Sequence, residues 1–599
     1  MSFTNRSIYA TLPRTQRGMP LVLGGDPKGK NFLYTNGHSV IIRDIENPLI
    51  ADIYTEHCTQ TTCAKYSPSG YYIASADQSG KLRIWDTTQK EHILKNEYQP
   101  FVGVIKDLSW SPDNQRICVV GEGRERFGHV FMADTGTSVG EIAGHSGLIN
   151  SCDFRPKRPF RIVTASEDNS VGVYVGPPFK SETYLTDHTR FVQCVRFSPD
   201  GDLFASGGFD GKMFLYKCED YSKVGEFGDP AHGGGVYAVS WSPDGKKILS
   251  ASGDKSCKVW DASTMEVISQ FQLGNDIMDQ QVSCLWQGQH LLSVSLSGFI
   301  NYLDLNDPSK PLRIVKGHNK SITALAISPD KNQVFTASHD TMYWDLENTG
   351  IHDRIKGVGH SNQVQNMTSN SEYIYTCSLD DTMKFIDRQD HQYLPETIKF
   401  DSQPRSIACG KNGAVLVACL NEICIVESYA KTTSFPIDYE GTSISAHPTE
   451  SDVAVGGAKD MKVHIYLLNG STFSLKTTME HRGAITDLAY SPDGVYLAAS
   501  DSNRKIMLYN DKYELAHTHE WGFHTARVNC VAWSPNSLFL ASGSLDTNII
   551  IWSTQNPTKH LTIKNAHPQS QITKIGFLDN NVVVSTGQDS NIKIWDIVF

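Results

Sequence analysis

The stretch HGGGVYAVSWSPDGKKILSASGDKSCKVWD, residues 232–261, decides the fold. Two apolar-rich runs, VYAVSW and KKILSAS, flank the tetrapeptide SPDG that begins at Ser242. Pro, Asp and Gly preset a tight reversal there, so the two runs pair as a hairpin. A third β-rich run ends at Trp260 and Asp261, with His232 standing 28 residues before that Trp, Ser250 ten before it and Asp254 six before it. The unit reads as one four-stranded antiparallel blade.

The unit recurs along the whole chain. LRIWD at Trp85, TMYWD at Trp344 and IKIWD at Trp595 are close copies, with IIIWS at Trp552. The place of the Trp is held in turn by Arg43, Trp85, Ala133, Tyr174, Tyr216, Trp260, Leu303, Trp344, Asp387, Val426, Tyr466, Tyr509, Trp552 and Trp595, fourteen marks in 599 residues. Their spacing of about 42 residues lies in the WD-repeat range. The His recurs at His57, His188, His232, His481, His524 and His567, and the Ser at Ser75, Ser250, Ser542 and Ser585. The Asp recurs at Asp168, Asp210, Asp254, Asp460, Asp546 and Asp589. SPDG-like turns begin at Ser67, Ser111, Ser198, Ser242, Ser328, Ser491 and Ser534.

A blade of this kind cannot bury both faces alone and stacks radially into a ring, which also shortens exposed sheet edges. Fourteen blades divide most naturally into seven and seven. The fold expected is all-β: two tandem seven-bladed WD-repeat β-propellers, residues 15–310 and 311–599. The chain stops directly after a third strand, so a strand at Ser7–Leu12 is expected to close a ring. It either finishes the last blade of the second ring, the favoured reading, or closes the first ring while Pro311–Val315 finishes the second. In the eighth blade Asp340 precedes Trp344 by only four residues. An even deletion keeps side chains on their sheet faces, so a shortened turn in an intact blade is expected.

Composition narrows function. Net charge is −11 without a basic block, hydrophobic content is 39%, and the thirteen Cys form no C-x-x-C pair. A concentrated basic footprint is what nucleic acid demands, so no nucleic-acid partner is expected. No apolar run reaches the roughly 20 residues of a bilayer span, so no membrane insertion is expected, and no secretory signal opens the chain. The Cys read as reduced, small hydrophobes in a cytoplasmic protein, without a zinc site.

Three motifs imitate catalytic or cofactor sites. His, Ser and Asp in step resemble a hydrolase triad, but a catalytic set is needed once, whereas this one recurs from blade to blade. His232, Ser250, Asp254 and Trp260, and likewise His524, Ser542, Asp546 and Trp552, read as buried structural networks. GGDPKGKN, residues 24–31, approaches a phosphate-binding loop, yet Asn31 replaces the required hydroxyl and strands flank it, so it reads as a hairpin turn. His517 and His519 read as neighbours on one face of an outer strand, with no ligand partners at metal spacing. No enzyme activity, cofactor or metal is expected.

A partner surface is expected instead. The longest spacing, Trp85 to Ala133, carries the extra loop GEGRERFG with Arg124, Glu125, Arg126 and Phe127. The next blade places Glu167 in its equivalent turn, and the connection DHTRFV adds Arg190 and Phe191. Mixed charges around aromatic side chains suit an interface with steering and an anchor.

Several stretches are more specific than the repeat: YTEHCTQTTCAKYSPSGYYIAS (54–75), GKLRIWDTTQKEHILK (80–95), GEGRERFGHVF (121–131), GPPFK (176–180) and LLSVSLSGFINYLD (291–304). With fourteen repeats, the whole chain resembles the actin-interacting protein 1 family, WD-repeat cofactors of cofilin. That resemblance implies a cytoplasmic protein of the actin cytoskeleton that binds cofilin-decorated actin filaments, promotes their disassembly and helps cap barbed ends. It implies an actin and cofilin surface at Glu125, Glu167, Lys180 and Phe191. Ser181 departs from the family, where Phe often follows GPPFK, and that loop is expected on the opposite rim. A monomer is expected. The competing reading is a generic WD-repeat scaffold or adaptor, such as a ubiquitin-ligase substrate receptor, because the fold alone does not fix function.

Overall fold

The computed structural model describes residues 1–348 and 350–599. The described residues hold thirteen four-stranded sheets and one three-stranded sheet. Their one helix is a single 3-10 turn at Ile277–Asp279. They divide into two compact units, Leu12–Asn319 and Met1–Thr11 with Lys320–Phe599.

Each unit is a seven-bladed propeller closed on itself. In the Leu12–Asn319 unit the inner strands are Gly24–Gly25, Thr61–Tyr66, Gly103–Trp110, Ile149–Phe154, Val192–Phe197, Val236–Trp241 and Gln281–Gln287. Each touches the next, and the last touches the first. In the other unit the same circuit runs from Ala324–Ile327 through five further inner strands to Ile572–Asp579, which returns to Ala324–Ile327. Within a blade the pairing follows sequence order. Val236–Trp241 pairs with Lys247–Ser252, then Ser256–Asp261, then Val267–Gln272.

Alternation puts one side of each strand into the cleft with the neighbouring blade. Cys194, Ala205 and Leu215 of blade 5 thus meet Val236, Trp241, Ile248 and Trp260 of blade 6 in one buried cluster. Burying such a side chain is worth roughly 1.5–3 kcal/mol, which is why blades stack radially. The SPDG reversal is tied down locally. Ser242 Oγ donates to Asp244 Oδ1 at 2.6 Å, and the Lys247 amide donates back to Ser242 Oγ at 2.9 Å. Gly245 occupies φ 71°, where a side chain would be strained.

The N-terminal strand spans Ser2–Tyr9 and pairs antiparallel with Ile592–Val598 as the fourth strand of blade 14. It begins five residues before the expected Ser7 because the last strand runs on to Val598, opposite Ser2. It leaves the sheet before Leu12, since the Thr11 amide is taken by Asn591 Oδ1 at 2.8 Å. Arg313–Val315 pairs with Ile300–Leu303 as the outer strand of blade 7. The division between units therefore falls after Asn319 and not at 310/311.

Blade 8 is intact with a shortened turn. Ala337 pairs with Thr341 where Ala251 pairs with Cys257 in blade 6, a turn two residues shorter. Val334 still pairs with Trp344 as Ile248 does with Trp260, and Trp344 stays buried. Blade 12 corrects an expectation: it has three strands, and His517 and His519 lie in an irregular crossing and not on an outer strand. The crossing meets the third strand only at isolated bridges, Leu515 with Tyr509 and Trp521 with Ile506, and Trp521 is buried and stacks on Trp552 of blade 13 at 5.1 Å between centroids. GGDPKGKN forms the expected hairpin, with Asp26 accepting from the amides of Lys28 and Asn31 at 2.9 and 3.1 Å.

A candidate partner-binding face

Buried networks hold the loops of half of the blades, 2, 4, 5, 6, 9, 13 and 14. His232 Nε2 lies 2.7 Å from Ser250 Oγ, its Nδ1 lies 2.9 Å from Asp254 Oδ2, and Trp260 Nε1 donates to Ser250 Oγ at 2.9 Å. His524, Ser542, Asp546 and Trp552 repeat the pattern at 2.8, 2.9 and 2.9 Å. Ser250 and Ser542 are fully buried, so neither hydroxyl can meet a substrate. His57 uses Asp77, and His145 uses Thr164 and Asp168. Asp460, which keeps step in the sequence, instead holds His464 at 2.6 Å, since Asp438 stands where the loop His would be.

Where present, these networks fix the same end of the blade. In blades 3, 4 and 5 the second-to-third-strand turn is clamped to the incoming connection by one recurring bond. The amide of Arg124 donates to Val102 O at 3.2 Å, that of Glu167 to Leu148 O at 2.9 Å and that of Phe209 to Phe191 O at 2.8 Å. A polar ladder ties the three blades together there. Lys106 Nζ reaches Asn150 Oδ1 at 3.2 Å, and Asn150 Nδ2 donates to Val192 O at 3.1 Å. Lys106 also pairs with Glu122 at 2.9 Å and lies 3.8 Å from Glu167. Beneath it Asp107 meets Lys65 at 2.8 Å and Arg196 at 3.3 Å. Burial pushes the Asp107 carboxyl up, but those two cations hold it below the usual range.

The expected site residues divide accordingly. Arg124, Glu125, Arg190 and Phe191 are exposed on this face, Phe191 at 45%. Arg190 lies 4.6 Å over the ring of Phe209. Glu167 is half-buried beside Lys106. Arg126 is turned to Glu141 at 3.3 Å, and Phe127 packs against the core cluster that holds Ile142 and Phe154. These two therefore shape the loop more than they project from it.

Lys180 lies elsewhere. It pairs with Val175, which pairs with Arg161, whereas Glu167 follows Ser166 at the far end of the same strands. Five strand residues at about 3.4 Å each separate the two ends. Lys180 and the GPPF turn thus open on the opposite rim, with Phe179 buried against Phe154.

Sequence reasoning missed the groove beside Arg190. A depression of about 610 Å³ is lined by Arg17, Arg190, Phe209 and Gly233–Gly235. Arg17 comes from the segment before blade 1, and no local spacing could have signalled its arrival beside blades 5 and 6. A Cβ at Gly234 would stand 2.7 Å from the Asp254 amide, so glycine lets this loop pack closely on the blade 6 turn.

Fourteen blades with loop-built faces, among which a buried His-Ser/Thr-Asp set recurs in blades 2, 4, 5, 6, 9, 13 and 14, define a WD-repeat β-propeller protein. The family model for the WD domain, G-beta repeat matches residues 50–86, 136–174, 179–217, 223–261, 309–342, 473–510, 516–553 and 558–596. The chain is 58% identical over 599 residues to actin-interacting protein 1 of Drosophila melanogaster, covering all of this chain and 98% of that one. It is 47% identical to WD repeat-containing protein 1 of Gallus gallus, over 614 aligned positions, and of Mus musculus, over 609, in each case along the full length of both chains. It belongs to the actin-interacting protein 1 (WD repeat-containing protein 1) family.

Proposed function

We propose that this protein binds actin filaments decorated with cofilin and promotes their disassembly, using the loop face of blades 3 to 5 as its contact surface. The observation that carries this reading is full-length similarity to a protein named for interacting with actin, joined to an exposed face that presents Glu125 and Phe191 on a rigid support. Glu125 and Arg124 supply charge for steering, and Phe191 supplies an apolar anchor of the kind that dominates interface energetics. Glu167 contributes at the blade 4 turn. Lys180, on the opposite rim, acts with a different element of the filament or not at all. The protein acts by binding and not by catalysis, as a monomer in the cytoplasm, and helps cap barbed ends.

Cosedimentation tests this reading. The protein is expected to pellet with filaments when cofilin is present and to stay in the supernatant with bare filaments. Absence from the pellet under both conditions would favour a WD-repeat adaptor unconnected with actin.

A further inference from the structure

Blade 10 holds a side-chain cluster that none of the functions above uses. Its second strand, Val415–Cys419, turns through Leu420 and Asn421 into its third, Glu422–Glu427. Val417 pairs with Cys424 and Ala418 with Ile423, which puts Cys419, Glu422 and Cys424 on one sheet face. Their ligating atoms all lie within 4.8 Å of one another, and all three residues are buried. Among the described residues no other three His, Cys, Asp or Glu side chains gather in this way.

The surroundings suit a cation. Glu422 accepts from Ser434 Oγ and from Lys431 Nζ at 3.3 Å. Lys431 Nζ also reaches the other carboxylate oxygen at 3.4 Å, and since a carboxylate has about four lone-pair sites these contacts leave one for a further partner. Lys431 is partly exposed and lies 3.5 Å from the fully exposed Asp401, giving the cluster a polar path to solvent at its carboxylate end.

We propose that Cys419, Glu422 and Cys424 form a binding site for zinc(II). Two sulfurs and a carboxylate oxygen on a rigid hairpin match the ligand types of that ion. They supply three of its four tetrahedral positions, and a water reached past Lys431 fills the fourth. Coordination takes both thiols as thiolates and releases their two protons to solvent. Two thiolates and one carboxylate then carry three negative charges, which the dication and the Lys431 ammonium neutralise together. Lys431 is thus a positioning residue: it orients Glu422 and balances the charge of the filled site. Such an ion would clamp the second and third strands of blade 10 from within the core cluster they share with Cys377 and Phe385.

Titration of the full chain, first stripped with a chelator, tests the site, with cadmium(II) as the spectroscopic probe and zinc(II) followed by competition with a chromophoric chelator. One cadmium per chain should raise a thiolate-to-metal charge-transfer band in the ultraviolet, and zinc should abolish it by displacement. Cys419→Ala and Cys424→Ala should each lose the band, while Cys58→Ala, altering an exposed cysteine elsewhere, should keep it. Lys431→Met should keep the band and weaken affinity roughly 10- to 100-fold, as removal of outer-shell partners does. If either cysteine variant fails to fold, Glu422→Gln decides: the band persists with weakened affinity if the carboxylate is a ligand. No band in the folded wild type, a band that survives both cysteine variants, or unchanged affinity in Glu422→Gln would overturn the proposal.

Discussion

His232 and Asp254 lie 22 residues apart in the chain and 2.9 Å apart between Nδ1 and Oδ2, joining the connection that enters blade 6 to the turn between its second and third strands. Ser250 completes the set from the strand between them. Removing its hydroxyl leaves Trp260 Nε1 and His232 Nε2 buried without that partner, which costs about 1–3 kcal/mol. Ser250→Ala should therefore lower the denaturant midpoint measurably, while Ser181→Ala, at an exposed position, should not. Equal midpoints for the two variants would show the network to be idle.

The same pairs make stability depend on pH. Burial holds His145, His232, His360 and His567 below the ordinary value of 6.5, against the pull of their Asp partners. Burial alone would raise the Asp210 carboxyl, but the bond and charge of His188 bring it down to about 2, and Asp77 beside His57 likewise to about 2. Every one of these groups is depressed on folding, so the unfolded chain binds more protons as pH falls. Unfolding free energy should be flat above the ordinary imidazole value, decline below 6.5, and decline again below the ordinary carboxyl value of 3.8. A denaturation series from pH 8 to pH 3, in steps of about one unit, checks this. Stability that rises on acidification would contradict it.

Deleting Ser2–Tyr9 removes the outer strand of blade 14 and bares the edge of Ile592–Val598. Phe3 also leaves Trp595, and Tyr9 leaves Trp344. Limited proteolysis of the shortened chain should produce early cuts within 572–599, while cuts within 24–315 appear no sooner than in the intact protein. Unchanged cleavage of the last blade would mean that the strand adds nothing to ring closure.

The blades were legible because a fixed period writes itself into the chain: Trp260, Ser250 and His232 can be read at set distances. The reading failed wherever a loop changed length. His145 stands 29 residues before Tyr174, and Asp77 eight before Trp85, so both fell out of step although both join blade networks. Asp460 kept step but has no loop His to meet. Trp521 gave no warning that it would replace an outer strand, because its partner Trp552 belongs to the next blade. Surface placement was partly legible: Glu125 and Phe191 fall on one face by blade geometry, whereas Arg17 reaches its groove by a long-range route. Cys419 and Cys424 carry no recognised spacing and converge only through hairpin register.

The most direct test of the proposed face is filament disassembly by the double variant Glu125→Ala, Phe191→Ala. Both side chains are exposed, so the variant should keep the wild-type unfolding midpoint. Interface energy concentrates in a few anchors, so losing a central charge and aromatic together should cost at least about 2 kcal/mol of binding, roughly a 30-fold loss. The measurement is the rate of loss of cofilin-decorated filaments as the protein is added. The expected result is a rate close to that of cofilin alone, from a protein that remains folded. Wild-type disassembly by the folded double variant would show this face to be ordinary surface and contradict the account.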